Sequence, residues 1–82
     1  MAKFIIDPAG AGKYKFMFPK PLPIDMKEYM ALTQKYKLTP IIDKKSQPWK
    51  LNGVICTPDV FETFLRDKKF DEQTIHDFKK NL

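Results

Sequence analysis

Residues 4–18 read FIIDPAGAGKYKFMF, and this stretch decides how the fold begins. Two segments with the composition of strands, residues 3–6 and 13–18, flank a turn that contains one proline and two glycines. The second segment alternates two sets of side chains, namely Tyr14, Phe16 and Phe18 on one side and Lys13, Lys15 and Met17 on the other. A period of two is typical of a strand with one buried face, and Gly10 and Gly12 accept the positive φ that a turn needs. We therefore predict an N-terminal β-hairpin.

The same turn has part of the pattern of a nucleotide-phosphate loop, because a glycine-rich segment ends in Gly12-Lys13. That motif needs a glycine, four residues and then Gly-Lys-Ser/Thr at the start of a helix. Asp7 stands where the first glycine belongs, and Tyr14 replaces the Ser or Thr. The segment that follows has the period of a strand, so no helix N-terminus would face a phosphate. The turn is therefore interpreted as a hairpin connection and not as a phosphate loop.

Beyond the hairpin, the sequence predicts one connector and three helices. Residues 19–23, PKPLP, have a proline at every second position and predict an extended polyproline-type connector. Three helix starts share one capping pattern, and their N-caps are Asp25, Thr57 and Asp71. The first helix is expected at 26–37. The other two are separated by a short turn at Lys68-Lys69 and should form a helical hairpin.

Residues 41–56 predict a second pair of short strands, with two alternative registers. Asn52-Gly53 is a typical two-residue hairpin turn, which would pair residues 49–51 with 54–56. The alternative pairs residues 41–43 with 54–56 and leaves 44–53 as a loop. The sequence does not discriminate between these registers.

Length and composition indicate one small domain over residues 1–82. The chain has 43% hydrophobic and 13% aromatic residues, which is enough to build one core. We predict an α+β fold with an N-terminal β-hairpin, a helix, a second strand pair and a C-terminal helical hairpin packed on the sheet. A single cysteine excludes an internal disulfide, and no apolar run resembles a signal peptide or a membrane span. A cytoplasmic location without membrane contact is expected.

No residue pattern indicates catalysis, a metal or a cofactor. Cys56 and His76 are the only candidates for nucleophile, base or soft metal ligand, and they belong to different predicted elements. Cys56 occupies a position next to a helix start where a small buried residue is expected. The carboxylate pairs Asp71-Glu72 and Asp59-Glu62 are explained by helix starts and solvated helix faces. We therefore expect a protein that is not an enzyme and needs no cofactor.

The charge distribution suggests a binding function. The formal net charge is +5, and residues 1–50 hold ten lysines and four acidic residues, whereas residues 51–82 hold five basic and six acidic residues. In the basic part, lysines are interleaved with aromatic residues, which is typical of contact with phosphates and stacked bases. The candidate nucleic-acid-binding residues are Lys13, Lys15, Lys35, Lys37, Lys44, Lys45, Trp49 and Lys50.

A protein–protein interaction module is the alternative function. Such an adaptor or inhibitor would dock through an aromatic patch around Trp49 or through the edge of the first hairpin. A common face for the lysines would favour nucleic acid as the partner. A contiguous apolar patch left uncovered, or a self-complementary homodimer surface, would favour protein.

Overall fold

The computed structural model describes residues 4–82, so Lys3, which the sequence assigns to the first strand, lies outside the described residues. The elements in chain order are β1 (Ile5–Gly10), β2 (Lys13–Ile24), α1 (Met26–Gln34), β3 (Thr39–Asp43), β4 (Trp49–Cys56), α2 (Pro58–Asp67) and α3 (Glu72–Lys80). The strands form one antiparallel sheet in the order β1-β2-β4-β3. The predicted α+β class and the predicted order of strands and helices are confirmed.

All three predicted helix caps are present. The cap side chains accept a hydrogen bond from the backbone N–H three residues further on, at 2.8 Å for Asp25, 3.4 Å for Thr57 and 2.8 Å for Asp71. Each bond satisfies one of the N–H groups that a helix start leaves without an internal partner. Within residues 4–82, no helix has the length and apolar character required to cross a membrane.

Helix α1 is shorter than the sequence pattern predicts, because it ends at Gln34 and not at residue 37. Lys37 adopts a left-handed φ of 57°, which turns the chain out of the helix. The Leu38 N–H then donates to the Leu32 carbonyl at 3.2 Å and closes the turn. Leu38 is buried, so packing of this side chain accounts for the early stop better than any local sequence signal.

The proline-rich segment 19–23 is part of β2, so its prediction as a connector is wrong. The pairing of β2 with β4 is interrupted between Met17 and Leu22 and resumes at Leu22 opposite Leu51. Pro19 and Pro21 fall within this interruption. A proline nitrogen has no hydrogen to donate to a sheet ladder, so an interruption accommodates these residues without lost bonds.

Of the two predicted registers, the one with a hairpin turn at Asn52-Gly53 is wrong, because both residues lie inside β4. Strand β3 pairs with β4 so that Ile41 faces Gly53 and Ile42 faces Leu51, which leaves Asn52 as an extra residue in a β-bulge. The connecting loop is 44–48. The observed pairing is nearer to the alternative register, with a shorter loop than that alternative gave.

One hydrophobic core lies between the helices and one face of the sheet. Its buried members are Phe16, Phe18, Ile24, Leu32, Leu38, Leu51, Val54, Cys56, Phe61, Phe64, Leu65, Ile75 and Phe78. The Phe61 ring stacks on Phe16 with ring centres 4.0 Å apart and meets Phe78 edge to face at 5.0 Å. The predicted packing of the helical hairpin on the sheet follows from this shared core.

Candidate functional site

Only one face of the sheet is used for this core. Side chains alternate along each strand, so the neighbours of buried core residues point to the opposite side. Among residues 4–82, that opposite side carries no helix, and we call it the open face. Because no described helix covers it, this face is the natural place to look for a binding site.

An apolar patch occupies the middle of the open face and consists of Ile5, Met17, Ile41 and Ile55. Ile5 is opposite Met17 across β1 and β2, and Met17 and Ile41 both face Gly53. Ile5 is 64% exposed, and the other three are half-buried. A Cβ on Gly53 would lie 2.7 Å from the Met17 Sδ atom, so Met17 reaches over the glycine. The four side chains therefore form one continuous strip across all four strands.

Charged residues lie at the two ends of this apolar patch. Lys13 and Lys15 lie at one end, and Lys50 lies at the other, opposite Pro23 of β2. Two aspartates share the face: Asp7 is opposite Lys15, and Asp43 is opposite Lys50. None of these five residues forms an ion pair within 4.0 Å of any side chain in the described part of the chain. The arrangement is an apolar centre with a charged rim.

The eight candidate nucleic-acid-binding residues fall into three groups. The first is Lys13 and Lys15, the second is Lys44, Lys45, Trp49 and Lys50, and the third is Lys35 and Lys37. Lys15 pairs with Ile55 of β4, five residues along that strand from Lys50, so the first two groups are separated by about 16 Å. The third group follows α1 on the other layer. The fold does not bring the eight residues together on one face.

Trp49 has a specific environment on the helix side of the sheet. Its ring meets the Tyr29 ring of α1 edge to face, with ring centres 6.0 Å apart and planes at 87°. The Lys44 Nζ lies 5.0 Å from the Trp49 ring centre and 5.4 Å from that of Tyr29. Both rings are half-buried. Lys44 is thus directed to the helix side, away from the open face.

Lys35 forms an ion pair with Asp67. Its Nζ lies 3.6 Å from Asp67 Oδ2, which also accepts a 2.5 Å hydrogen bond from the Tyr36 hydroxyl. The Tyr36 bond is the main reason why the pKa of Asp67 lies below its usual value, and Lys35 adds to the effect. Burial, with this hydrogen bond and the Asp67 charge, raises the pKa of Tyr36 to about 12. Lys35 therefore serves to join the ends of α1 and α2.

The other ion pairs found among residues 4–82 also join groups on the helices or their ends. They are Arg66 with Glu62 (3.0 Å) and with Glu72, Lys68 with Glu28 (3.0 Å), and Lys79 with Glu62 (3.1 Å). Hydrogen bonds from Lys79 and then Arg66 lower the pKa of Glu62. All of these groups are at least partly exposed, so each pair stabilises the fold only slightly.

The helix layer and the sheet layer differ in net charge. Residues 25–38 and 57–82, which form the helices and their ends, hold eight basic and eight acidic residues. Residues 4–24 and 39–56, which form the strands and their loops, hold six lysines and two aspartates. The excess positive charge of the described chain belongs to the sheet layer.

Cys56 and His76 lie in separate surroundings. Cys56 is only 4% exposed at the end of β4, and burial raises the pKa of its thiol to about 12, partly offset by the positive charge of Lys13. His76 is exposed on α3, beside Arg66 and Lys79. Among residues 4–82, no three side chains of His, Cys, Asp or Glu come together as a metal site.

Comparisons with protein-family models, with curated proteins and with solved structures give no match to this chain.

The apolar patch is the part of the site that sequence reasoning missed. Alternation along 13–18 does place Met17 on the side of Lys13 and Lys15, which was a usable signal. Ile5, Ile41 and Ile55 join it only through the strand pairing, which sequence alone left open.

Proposed function

We propose that this protein is an interaction module that docks onto another protein through its open face. The observation that carries the proposal is the apolar patch of Ile5, Met17, Ile41 and Ile55, uncovered by any described element. An apolar centre surrounded by a polar rim is the usual anatomy of a protein–protein interface. Isolated exposed apolar residues are common, whereas a contiguous apolar patch that no described element covers supports an interaction site.

The rim specifies the chemistry of the partner. The rim has three lysines, Lys13, Lys15 and Lys50, against the two aspartates at positions 7 and 43, and none of the three lysines has an ion-pair partner in residues 4–82. A partner with an apolar centre and acidic groups around it would complement both features. Opposite charge around an interface speeds association and excludes partners of like charge.

Site-specific photocrosslinking in the cells that express the protein tests this proposal. The photoreactive residue p-benzoylphenylalanine replaces Ile5 on the open face and, in a matched control, the exposed Met26 on α1. We expect a discrete protein adduct from position 5 and none from position 26. Ile5→Thr/Ile41→Thr should then weaken binding of the purified adduct partner, whereas Met26→Gln/Met30→Gln should not.

Three results would contradict docking by a different protein. An adduct of twice the chain mass would mean that a second copy covers the open face and that the protein is a homodimer. Equal labelling from positions 5 and 26, or none from either, would mean that the patch is not an interface.

Nucleic-acid binding is the second candidate function, and the charge difference between the two layers favours it. Phosphate contact by the sheet-layer lysines would supply affinity without reading sequence. Base stacking would contribute little to this nucleic-acid binding, because Tyr14 and Phe16 face the core and Trp49 packs on Tyr29. Binding would therefore depend strongly on salt.

A salt series with random-sequence duplex DNA, single-stranded DNA and RNA tests the second candidate. Binding through phosphates predicts that log affinity falls with log salt, with a slope of about −0.7 to −0.9 per contact. Lys13→Gln/Lys15→Gln should reduce the slope by roughly one to two, whereas Lys27→Gln/Lys80→Gln, which removes the same charge from the helix layer, should not. No binding at low salt, or equal losses in both variants, would remove this candidate.

A further inference from the structure

Two aromatic rings and one ammonium group lie close together on the helix side of the sheet. Tyr29 comes from α1 and Trp49 from the first position of β4, and their planes stand at 87° to each other. Two rings at a right angle make two walls of a corner. The Lys44 Nζ lies within 5.4 Å of both ring centres, so the corner already holds a cation.

We propose that this corner is a binding site for a quaternary ammonium group, and that Lys44 occupies it as an internal competitor. The faces of aromatic rings attract cations, and aromatic corners and cages of this kind bind choline-type and methylated-lysine groups. A quaternary ammonium is more weakly hydrated than a lysine ammonium. It therefore loses less on leaving water and makes more apolar contact with the two rings.

Lys44 is easy to displace. It is exposed, it belongs to the loop 44–48, and it forms no ion pair with any residue of 4–82. An exposed cation–π contact of this kind weakens a competing ligand by about two- to fivefold. The rings themselves are held in place by α1 and β4 and need not move.

Titration of the intact protein with tetramethylammonium chloride, followed by tryptophan fluorescence, tests the proposal. Trp49 is the only tryptophan in the chain, so the signal reports this site. Sodium chloride at equal ionic strength controls for salt, and tert-butanol is the neutral molecule of similar shape. We expect a saturable change with tetramethylammonium alone.

Variants make the assignment specific. Lys44→Gln should tighten binding about two- to fivefold, whereas Lys45→Gln, the same charge change one residue further on, should leave it unaltered. Tyr29→Leu should abolish saturation while Trp49 still reports and far-UV circular dichroism confirms the fold. A response to tert-butanol equal to that with tetramethylammonium would overturn the proposal, as would equal effects of Lys44→Gln and Lys45→Gln, or no saturation in Lys44→Gln.

Choline and N-acetyl-trimethyllysine amide, titrated separately into Lys44→Gln, distinguish the source of the ammonium group. Tighter binding of choline supports a free small molecule as ligand. Tighter binding of the lysine derivative supports a methylated side chain. Failure of both ligands to give a saturable fluorescence change would contradict the site. None of these outcomes depends on the open face, so this proposal and the docking proposal stand or fall separately.

Discussion

Gly53 shows how a single residue sets the spacing of the sheet. It lies in the middle of β4 beside the bulge at Asn52, and its missing side chain lets β2 pass close to it. A Cβ at this position would be 2.5 Å from the Phe16 carbonyl oxygen and 3.1 Å from the Met17 Cα. Both are backbone atoms of a paired strand, so they cannot rotate away.

We predict that Gly53→Ala destabilises the protein by about 1–3 kcal/mol or more, because β2 and β4 must separate to admit the methyl group. Gly12→Ala is the matched control: its Cβ meets open space, and only the positive φ of 75° opposes it, at a cost of roughly 1 kcal/mol. Urea unfolding measures both. A Gly53→Ala protein as stable as the wild type would contradict the close approach of the strands.

Cys56 is expected to be chemically inert in the folded protein. Its pKa of about 12 means that almost no thiolate exists at pH 8, and its burial blocks access. A thiol-exchange reagent at pH 8 should therefore react slowly in buffer and rapidly in unfolding concentrations of urea. Rapid reaction without urea would show that the end of β4 opens in the native state.

The Cys56 thiol also makes the free energy of unfolding depend on pH in the alkaline range. The pKa is higher in the folded state than the ordinary value of 9.0, so the folded state holds the proton more tightly. The free energy of unfolding should be unaffected below about pH 9 and should fall as the pH rises towards 12. Urea unfolding at pH 7 and pH 10 measures this loss, which should be smaller in Cys56→Ala. An equal loss in both proteins would assign it to other groups, such as Tyr36.

At the scale of elements, the helices owe their starting points to local chemistry. Asp25, Thr57 and Asp71 each bond to the N–H group three residues on, and an acidic or hydroxyl side chain suits the positive end of the helix dipole. The ends of the elements follow tertiary packing instead. Helix α1 stops where Leu38 must enter the core, and β2 continues through a proline-rich segment because β4 offers pairing on its far side.

We predict that Asp71→Ala lowers the free energy of unfolding at neutral pH, because the Thr74 N–H loses its partner. Asp71→Asn should be nearly neutral, since asparagine caps equally well. The Thr74 hydrogen bonds lower the pKa of Asp71, so its contribution is present above the ordinary carboxyl range and is lost as the pH falls through the lowered pKa. Acid titration of stability should show this loss in the wild type and not in Asp71→Asn.

At the scale of the whole molecule, one aromatic cluster joins the sheet to the helical hairpin. Phe61 of α2 is fully buried and lies between Phe16 and Phe18 of β2, Phe64 of its own helix and Phe78 of α3. Because these contacts join β2 of the sheet to both helices of the helical hairpin, we expect the domain to unfold as a unit. The open face takes no part in this cluster and remains available for binding.

We predict that Phe61→Ala lowers the free energy of unfolding by about 3–5 kcal/mol, which is a large share of the stability of a small domain. Phe70→Ala, at the edge of the same core, should cost roughly half as much because Phe70 is only half-buried. Trp49 fluorescence and far-UV circular dichroism in urea should give coincident transitions. Separate transitions would mean that the sheet and the helical hairpin unfold independently.

The structure of residues 4–18 and of the three helix caps could be predicted from the sequence because the responsible interactions are local. Alternation, turn glycines and N-cap side chains each act within a few residues, so the hairpin, the helix starts and the α+β class were all predictable. The Asn52-Gly53 signal was equally local and misleading. Pairing on both sides of β4 placed this dipeptide inside a strand, because a central strand gains more from two ladders than from one tight turn.

The amino-acid sequence alone determined the inventory of elements and the excess of lysine in the first fifty residues. Only the tertiary structure decided where that charge lies. Acidic residues balance the basic ones in the helix layer, whereas Lys13, Lys15 and Lys50, which have no ion-pair partner in residues 4–82, lie at the ends of the apolar patch. The tertiary structure also decided that Lys44 faces Tyr29 and Trp49 and not the other lysines. The reason is physical: periodicity sets which side of its own strand a residue faces, whereas strand order and register, settled by core packing, set its neighbours.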